Sequence, residues 1–216
     1  MKPIYLKLSK PFGELDAASS RFWGNPALPQ GIGYPQYIDN EGDEYPYVFI
    51  CQINLAELTS FCGDNPLPET GLLLFFAKID HYLGQFAATD CIGGAISRPD
   101  AVKVIYISNL SDLREVVLVD DDDQPLSPEA LQITFTYEHD PLKDEDHCLF
   151  ARPEHREWES WDHPYEDWQI LLQIDSFAGM DFNLNFMDYG VLDFLISPDA
   201  LARRDYSQVR GIVLST

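Results

Sequence analysis

Apolar residues along the chain fall into short runs and alternations of strand length, with little of the 3.6-residue spacing that marks long amphipathic helices. Residues 44–54 alternate and then run apolar through Val48-Phe49-Ile50-Cys51-Gln52-Ile53. The stretches 71–79, 102–107, 115–119, 131–137, 168–174, 190–196 and 210–214 are similar β-branched or aromatic runs. Turn chemistry separates them: Pro26, Pro29, Gly31, Gly33 and Pro35 in the first loop, Asn40-Glu41-Gly42-Asp43 as a hairpin tip, and Asn65-Pro66-Leu67-Pro68 ahead of Gly71. Helix signals are few. Residues 54–61 carry Asn54 as a cap, 108–115 carry Ser108 or Ser111, and 197–204 carry Ser197 with Pro198 at the first helical position. The pattern predicts a β-rich α+β fold with few short helices.

Two of these strands recur. Ile50-Cys51-Gln52-Ile53-Asn54 returns as Leu171-Leu172-Gln173-Ile174-Asp175, and Gly71-Leu72-Leu73-Leu74-Phe75-Phe76 as Gly190-Val191-Leu192-Asp193-Phe194-Leu195, in the same order. The recurrence predicts two pseudo-repeated, mostly antiparallel sheet units packed as one compact domain over 1–216. Its halves span roughly 20–118 and 145–216, joined by an acidic segment at 119–144. Gln52 and Gln173 sit inside apolar strands, where a buried amide must find partners for its donors and its acceptor. Asn54 and Asp175 follow two residues later on the same strand face. These side chains are either satisfied polar groups of the core or, together with His147, the lining of a polar cleft that offers hydrogen bonds to a small ligand.

Several elements together resemble the YwqG-like family of bacterial proteins. They are Gly24-Asn25-Pro26-Ala27-Leu28-Pro29 with Tyr34-Pro35, then Ile50 to Asn54, then Gly71 to Phe76. His147-Cys148-Leu149-Phe150-Ala151-Arg152-Pro153, the segment Trp168 to Ser176, and Gly190 to Phe194 follow in the family's order. Tyr34 stands where the family usually has tryptophan, and Ala151 replaces a glycine. The resemblance implies a β-rich fold in a cytosolic bacterial protein. It implies no reaction, because the family brings no established chemistry.

The 216 residues are 45% apolar, enough for a full core, and 36 acidic side chains against 14 basic ones leave a formal charge of −22. A field of that sign repels phosphate backbones and anionic lipid, so neither nucleic acid nor membrane is an expected partner. The amino terminus lacks the apolar core of a secretory signal, and the longest apolar runs fall far short of a membrane span, so a soluble cytoplasmic protein is expected. Cys51, Cys62, Cys91 and Cys148 are scattered without C-x-x-C spacing and read as reduced thiols.

Templates for catalysis are missing: there is no G-x-S-x-G elbow, no Walker loop and no dinucleotide glycine fingerprint. His139, His147, His155 and His163 recur every eight residues, but Pro141, Pro153 and Pro164 interrupt any helix that could align them, and eight is not a usual ligand spacing. Asp120-Asp121-Asp122-Asp123 opens like a calcium loop, yet Pro125 and Leu131 occupy the places of its glycine and its last glutamate. No metal and no cofactor are expected, and an enzyme is disfavoured. Charge placement is more informative. Residues 120–167 hold 16 acids and three bases, a net of −13, interleaved with Trp158, Trp161 and Tyr165. Asp121, Asp122, Asp123, Glu157, Trp158, Glu159, Trp161, Glu166 and Asp167 are therefore the candidate contacts for a basic protein partner, attracted by charge and anchored by aromatic rings. The expected function is a non-enzymatic protein-binding module, in its sharpest form an antitoxin or immunity protein. The alternative is a small-ligand or metal-dependent enzyme using a polar cleft between the two halves, lined by Gln52, Asn54, His147, Gln173 and Asp175.

Overall fold

The computed structural model describes residues 2–39, 41–79, 92, 94–139, 147–152, 164–179, 182–184, 186 and 190–214. Strands dominate among them. In chain order they are β1 (Ile4–Ser9), β2 (Arg21–Phe22), β3 (Ala27–Pro29), β4 (Gln36–Ile38), β5 (Glu44–Pro46), β6 (Val48–Asn54), β7 (Leu72–Ala77) and β8 (Val102–Ile107). There follow β9 (Leu113–Glu115), β10 (Leu131–Thr136), β11 (Cys148–Leu149), β12 (Gln169–Asp175), β13 (Phe177–Gly179), β14 (Phe182–Leu184), β15 (Val191–Ile196) and β16 (Arg210–Leu214). Two short helices, α1 (Leu55–Phe61) and α2 (Pro198–Arg203), complete the set with one 3-10 turn at Tyr206–Gln208. None of the described helices is long and apolar enough to cross a membrane.

The chain forms two compact units, each named here for its buried glutamine. The Gln52 unit comprises Leu8–Ala77 and Lys103–Thr134; the Gln173 unit comprises Met1–Lys7, Lys78–Val102 and Phe135–Thr216. In the Gln52 unit the strand order is β10-β2-β6-β7-β8. β6 and β7 are antiparallel, with Gln52 opposite Leu74 and Asn54 opposite Leu72, and the register slips between Phe49 and Cys51. All six residues of β7 are buried, which explains why Leu72 to Ala77 read as an unbroken apolar run. On one side Phe49, Leu72, Leu74 and Phe76 pack with Ala27 and Leu28 of β3 and with Tyr47 and Ile107. Each Leu, Ile or Phe among them contributes roughly 1.5–3 kcal/mol by leaving water. α1 follows because the Asn54 side chain accepts the N–H groups of Ala56 and Glu57, while Leu55 and Leu58 are buried.

The Gln173 unit has the order β16-β15-β12-β11-β1. Gln173 stands opposite Asp193 and Asp175 opposite Val191, and the register slips between Ile170 and Leu172. The two sheets share further detail. Trp23 N–H donates to Ile50 O at 2.9 Å, as Phe150 N–H does to Leu171 O at 3.2 Å. Trp23 and Phe150, at φ 56° and 55°, both take the left-handed backbone that non-glycine residues seldom adopt. Leu55 N–H meets Gly71 O at 2.9 Å and Ser176 N–H meets Gly190 O at 3.1 Å. The repeated glycines have a steric cause: a Cβ on Gly71 would lie 2.6 Å from Ile107 O, and one on Gly190 would run into Leu214 O. The expectation of a β-rich fold made of two sheet units with few short helices is met.

Residues 108–115 depart from expectation, forming no helix. Asn109 Oδ1 accepts from the N–H and the hydroxyl of Ser111 at 3.0 and 2.7 Å, a local turn that competes with helix formation. Asp112 takes φ 64°, and Leu113–Glu115 then pairs as β9 with β3. The predicted stretch 115–119 survives only as the end of β9 and an isolated bridge from Val119 to Pro125. Ser197 and Pro198 do start α2, with Ser197 Oγ accepting from Ala200 N–H. The β4–β5 hairpin closes as its sequence suggests: Asp39 Oδ1 accepts from Glu41, Gly42 and Asp43 N–H, with Gly42 at φ 96°.

Candidate functional site

β6 and β12 carry the candidate ligand residues. The side chain of Gln52 is buried and bonded at both ends: Oε1 accepts from Ala27 N–H at 3.0 Å, and Nε2 donates to the carbonyls of Ala17 and Ser19 at 2.7 and 2.8 Å. It ties the backbone before β2 to the backbone that begins β3. Asn54 caps α1 through Oδ1 and donates from Nδ2 to Ala18 O at 2.9 Å, so its amide also holds backbone. In the Gln173 unit, Asp175 Oδ1 accepts from Ser176 N–H at 2.7 Å, and Gln173 is buried on β12.

The two units satisfy one backbone group with different chemistry. Asn54 N–H donates to Ser20 Oγ at 2.8 Å; its counterpart, Asp175 N–H, donates to His147 Nδ1 at 3.1 Å. An imidazole that accepts at Nδ1 is neutral and carries its proton on Nε2. Burial alone drives the His147 pKa down to about 3, because the charged ring would be cut off from water. Burial likewise pushes the Cys51 thiol up, so that it stays protonated. No disulfide joins Cys51, Cys62 or Cys148 to one another, and Cys91 lies outside the described residues.

Three buried ionisable groups escaped the sequence reading. Arg21 on β2 is 2% exposed and pairs with Glu115 and the carbonyl of Asp16. Asp193 is 1% exposed on β15, in the place that Leu74 takes in the Gln52 unit. Lys78 is buried and reaches the half-exposed Asp100 at 2.8 Å, an ion pair that holds the Asp100 carboxyl below its ordinary range. For Asp193 the signal was present, since an acid interrupting Val191-Leu192-Asp193-Phe194-Leu195 must be accommodated. Nothing local marks Arg21, whose carboxylate partner Glu115 arrives on β9 from 94 residues further along the chain.

Among the candidate contacts for a partner, Asp121, Asp122 and Asp123 are exposed at a tight turn. Asp120 Oδ1 accepts from Asp122 and Gln124 N–H at 2.9 and 2.8 Å, and Asp123 takes φ 60°. Glu166 and Asp167 are exposed, while Trp168 is half-buried, edge-on to Tyr165 at 5.0 Å and packed against Ile170, Leu195 and Ile212. Glu157, Trp158, Glu159 and Trp161 lie outside the described residues, as do His155 and His163. His139 is exposed and meets the Tyr5 ring edge-on at 5.7 Å. Among the described residues no three His, Cys, Asp or Glu side chains group as metal ligands would.

The described residues define a mostly β protein of two antiparallel sheet units with few short helices. The chain belongs to the family described as Domain of unknown function (DUF1963), whose pattern matches residues 20–213, bearing out the YwqG-like resemblance at the level of family. No curated protein matches the chain.

Proposed function

We propose that the protein acts by binding and not by catalysis, docking a basic protein partner through acidic and aromatic residues of the segment 120–167. The observation that carries the reading is the charge: −13 of the total −22 falls within those residues. Exposure of Asp121, Asp122, Asp123, Glu166 and Asp167 supports it, since solvated carboxylates steer a cationic partner at long range. The hydrogen bonds of Gln52 and Asn54 to main-chain groups of Ala17, Ala18, Ser19 and Ala27 favour binding elsewhere over a ligand at those amides. The sharpest form of the proposal is an antitoxin or immunity role, in which the acidic face neutralises a basic nuclease-type toxin in the cytoplasm. We also infer that the two units descend from one duplicated repeat, on the strength of their common strand order, register slip and backbone bonds.

The test is retention of proteins from native lysate at 50 mM and 500 mM salt, followed by titration of the purified retained protein. Screening lengths of roughly 14 Å and 4 Å at those concentrations separate charge steering from apolar contact. The expected partner is basic, is released at high salt, and binds at least tenfold more weakly when Asp121, Asp122 and Asp123 become Asn, or when Glu157 and Glu159 become Gln. Retention of nothing basic at low salt, or affinity untouched by both sets of substitutions, overturns the proposal.

A further inference from the structure

β1 and β10 form a further repeated pair, matching in sequence and in pairing. Ile4-Tyr5-Leu6-Lys7-Leu8-Ser9 and Leu131-Gln132-Ile133-Thr134-Phe135-Thr136 share apolar residues at the first, third and fifth places and a hydroxyl at the sixth. Each precedes the same series in the chain: a two-residue strand, a glutamine strand, a glycine-led strand and a closing strand, namely β2, β6, β7, β8 after β1 and β11, β12, β15, β16 after β10. Their partners, however, are crossed. β1 pairs with β11, with Ile4 opposite Leu149 and Tyr5 opposite Cys148. β10 pairs with β2, with Leu131 opposite Phe22 and Gln132 opposite Arg21. The next bond agrees as well: Leu6 N–H donates to His147 O at 2.8 Å, and Ile133 N–H donates to Ser20 O at 3.4 Å.

We infer that the chain is a fused pair of one strand-exchanging repeat, in which the first strand of each repeat completes the sheet of the other. The slot beside β2 and the slot beside β11 are thus strand-complementation sites of one kind. The occupant of each is a strand with apolar residues at alternate places, delivered by the opposite repeat through main-chain hydrogen bonds. The register equality carries this furthest: two unrelated strands need not have placed Ile4 and Leu131 opposite the equivalent residues Leu149 and Phe22. A one-residue slip of either would also turn its apolar side chains to the other face. The inference extends the duplication proposed above and is independent of the acidic partner.

Two experiments on the full chain separate the exchange from the duplication. In the first, Tyr5→Cys sets a thiol directly across from Cys148, at a Cα spacing of about 4.5–5.5 Å that suits a disulfide. A protease site in the exposed 120–124 turn then divides the chain between the repeats. After oxidation and cutting, the two fragments are expected to run as one species on a denaturing gel until reduced, and to separate when Cys148→Ser is added. Fragments that separate without reduction overturn the exchange. In the second, the hexapeptides at 4–9 and 131–136 are transposed, with a control in which 4–9 is scrambled to break its alternation. Equivalent strands leave a cooperative melt with a midpoint within about 10 °C of the parent, while the scrambled control falls well below it. A transposed chain that melts with the scrambled control overturns the common origin of the strands, even where the disulfide forms.

Discussion

His147 makes the stability of this protein depend on pH in a way that can be calculated. In the native state its ring is buried and neutral, with a pKa near 3 against 6.5 for an accessible histidine. As pH falls through 6.5 the unfolded chain takes up a proton there and the folded chain does not, so stability rises with pH and is lost on acidification. The contribution is complete above about pH 7 and erodes down towards the folded value. Between pH 7.5 and pH 5 the loss from this residue is about 2 kcal/mol, at 1.36 kcal/mol per unit of pKa difference traversed. Any folded value below about 4 gives the same figure. The perturbation is His147→Ser, which installs the hydroxyl that Ser20 uses for the equivalent N–H. Urea unfolding at pH 7.5, 6.5, 5.5 and 5.0 measures both proteins while staying above the isoelectric point near 4.2. The variant starts weaker because a smaller side chain leaves a void, but the gap between the two proteins closes by about 2 kcal/mol on reaching pH 5. All other titrating groups are common to both and cancel. A gap that stays constant across this range refutes the burial argument.

Further outcomes follow from the packing. Gln52→Leu removes the partners of Ala27 N–H and of the Ala17 and Ser19 carbonyls, and is expected to cost about 3 kcal/mol or more in urea unfolding. Gly190→Ala drives a methyl into Leu214 O and should cost on the order of 1–3 kcal/mol, whereas Gly33→Ala, with nothing within 4 Å, should change stability by less than about 0.5 kcal/mol; equal losses in thermal melts would contradict the steric reading. Asn54→Ala removes the cap of α1 and is expected to cost about 1 kcal/mol, with faster amide exchange at Ala56 and Glu57 as the local signature.

The framework of this protein was legible because its central strands are buried on both faces. β6, β7, β12 and β15 had to be written as unbroken apolar runs, and the glycines before β7 and β15 mark where the last strand of each sheet comes too close for a side chain. Caps at Asn54 and Ser197 were equally local, since each side chain bonds N–H groups two or three residues away. Residues 108–115 misled for the converse reason. Serine caps and an apolar spacing suggest a helix, but the same residues gain more by pairing β9 with β3. Short strands such as β2 and β11 carry too few residues to show a period at all.

The sequence by itself determined that the chain folds as two similar sheet units, and that most of its negative charge gathers in one segment. Only the tertiary structure decided which strand completes which sheet, where Arg21, His147 and Asp193 become buried, and that Gln52 is spent on backbone. The physical reason is reach. Periodicity, caps and turns are set by neighbours a few residues apart, whereas strand partnership and burial are set by residues more than a hundred positions away, as in the pairing of Ile4 with Leu149.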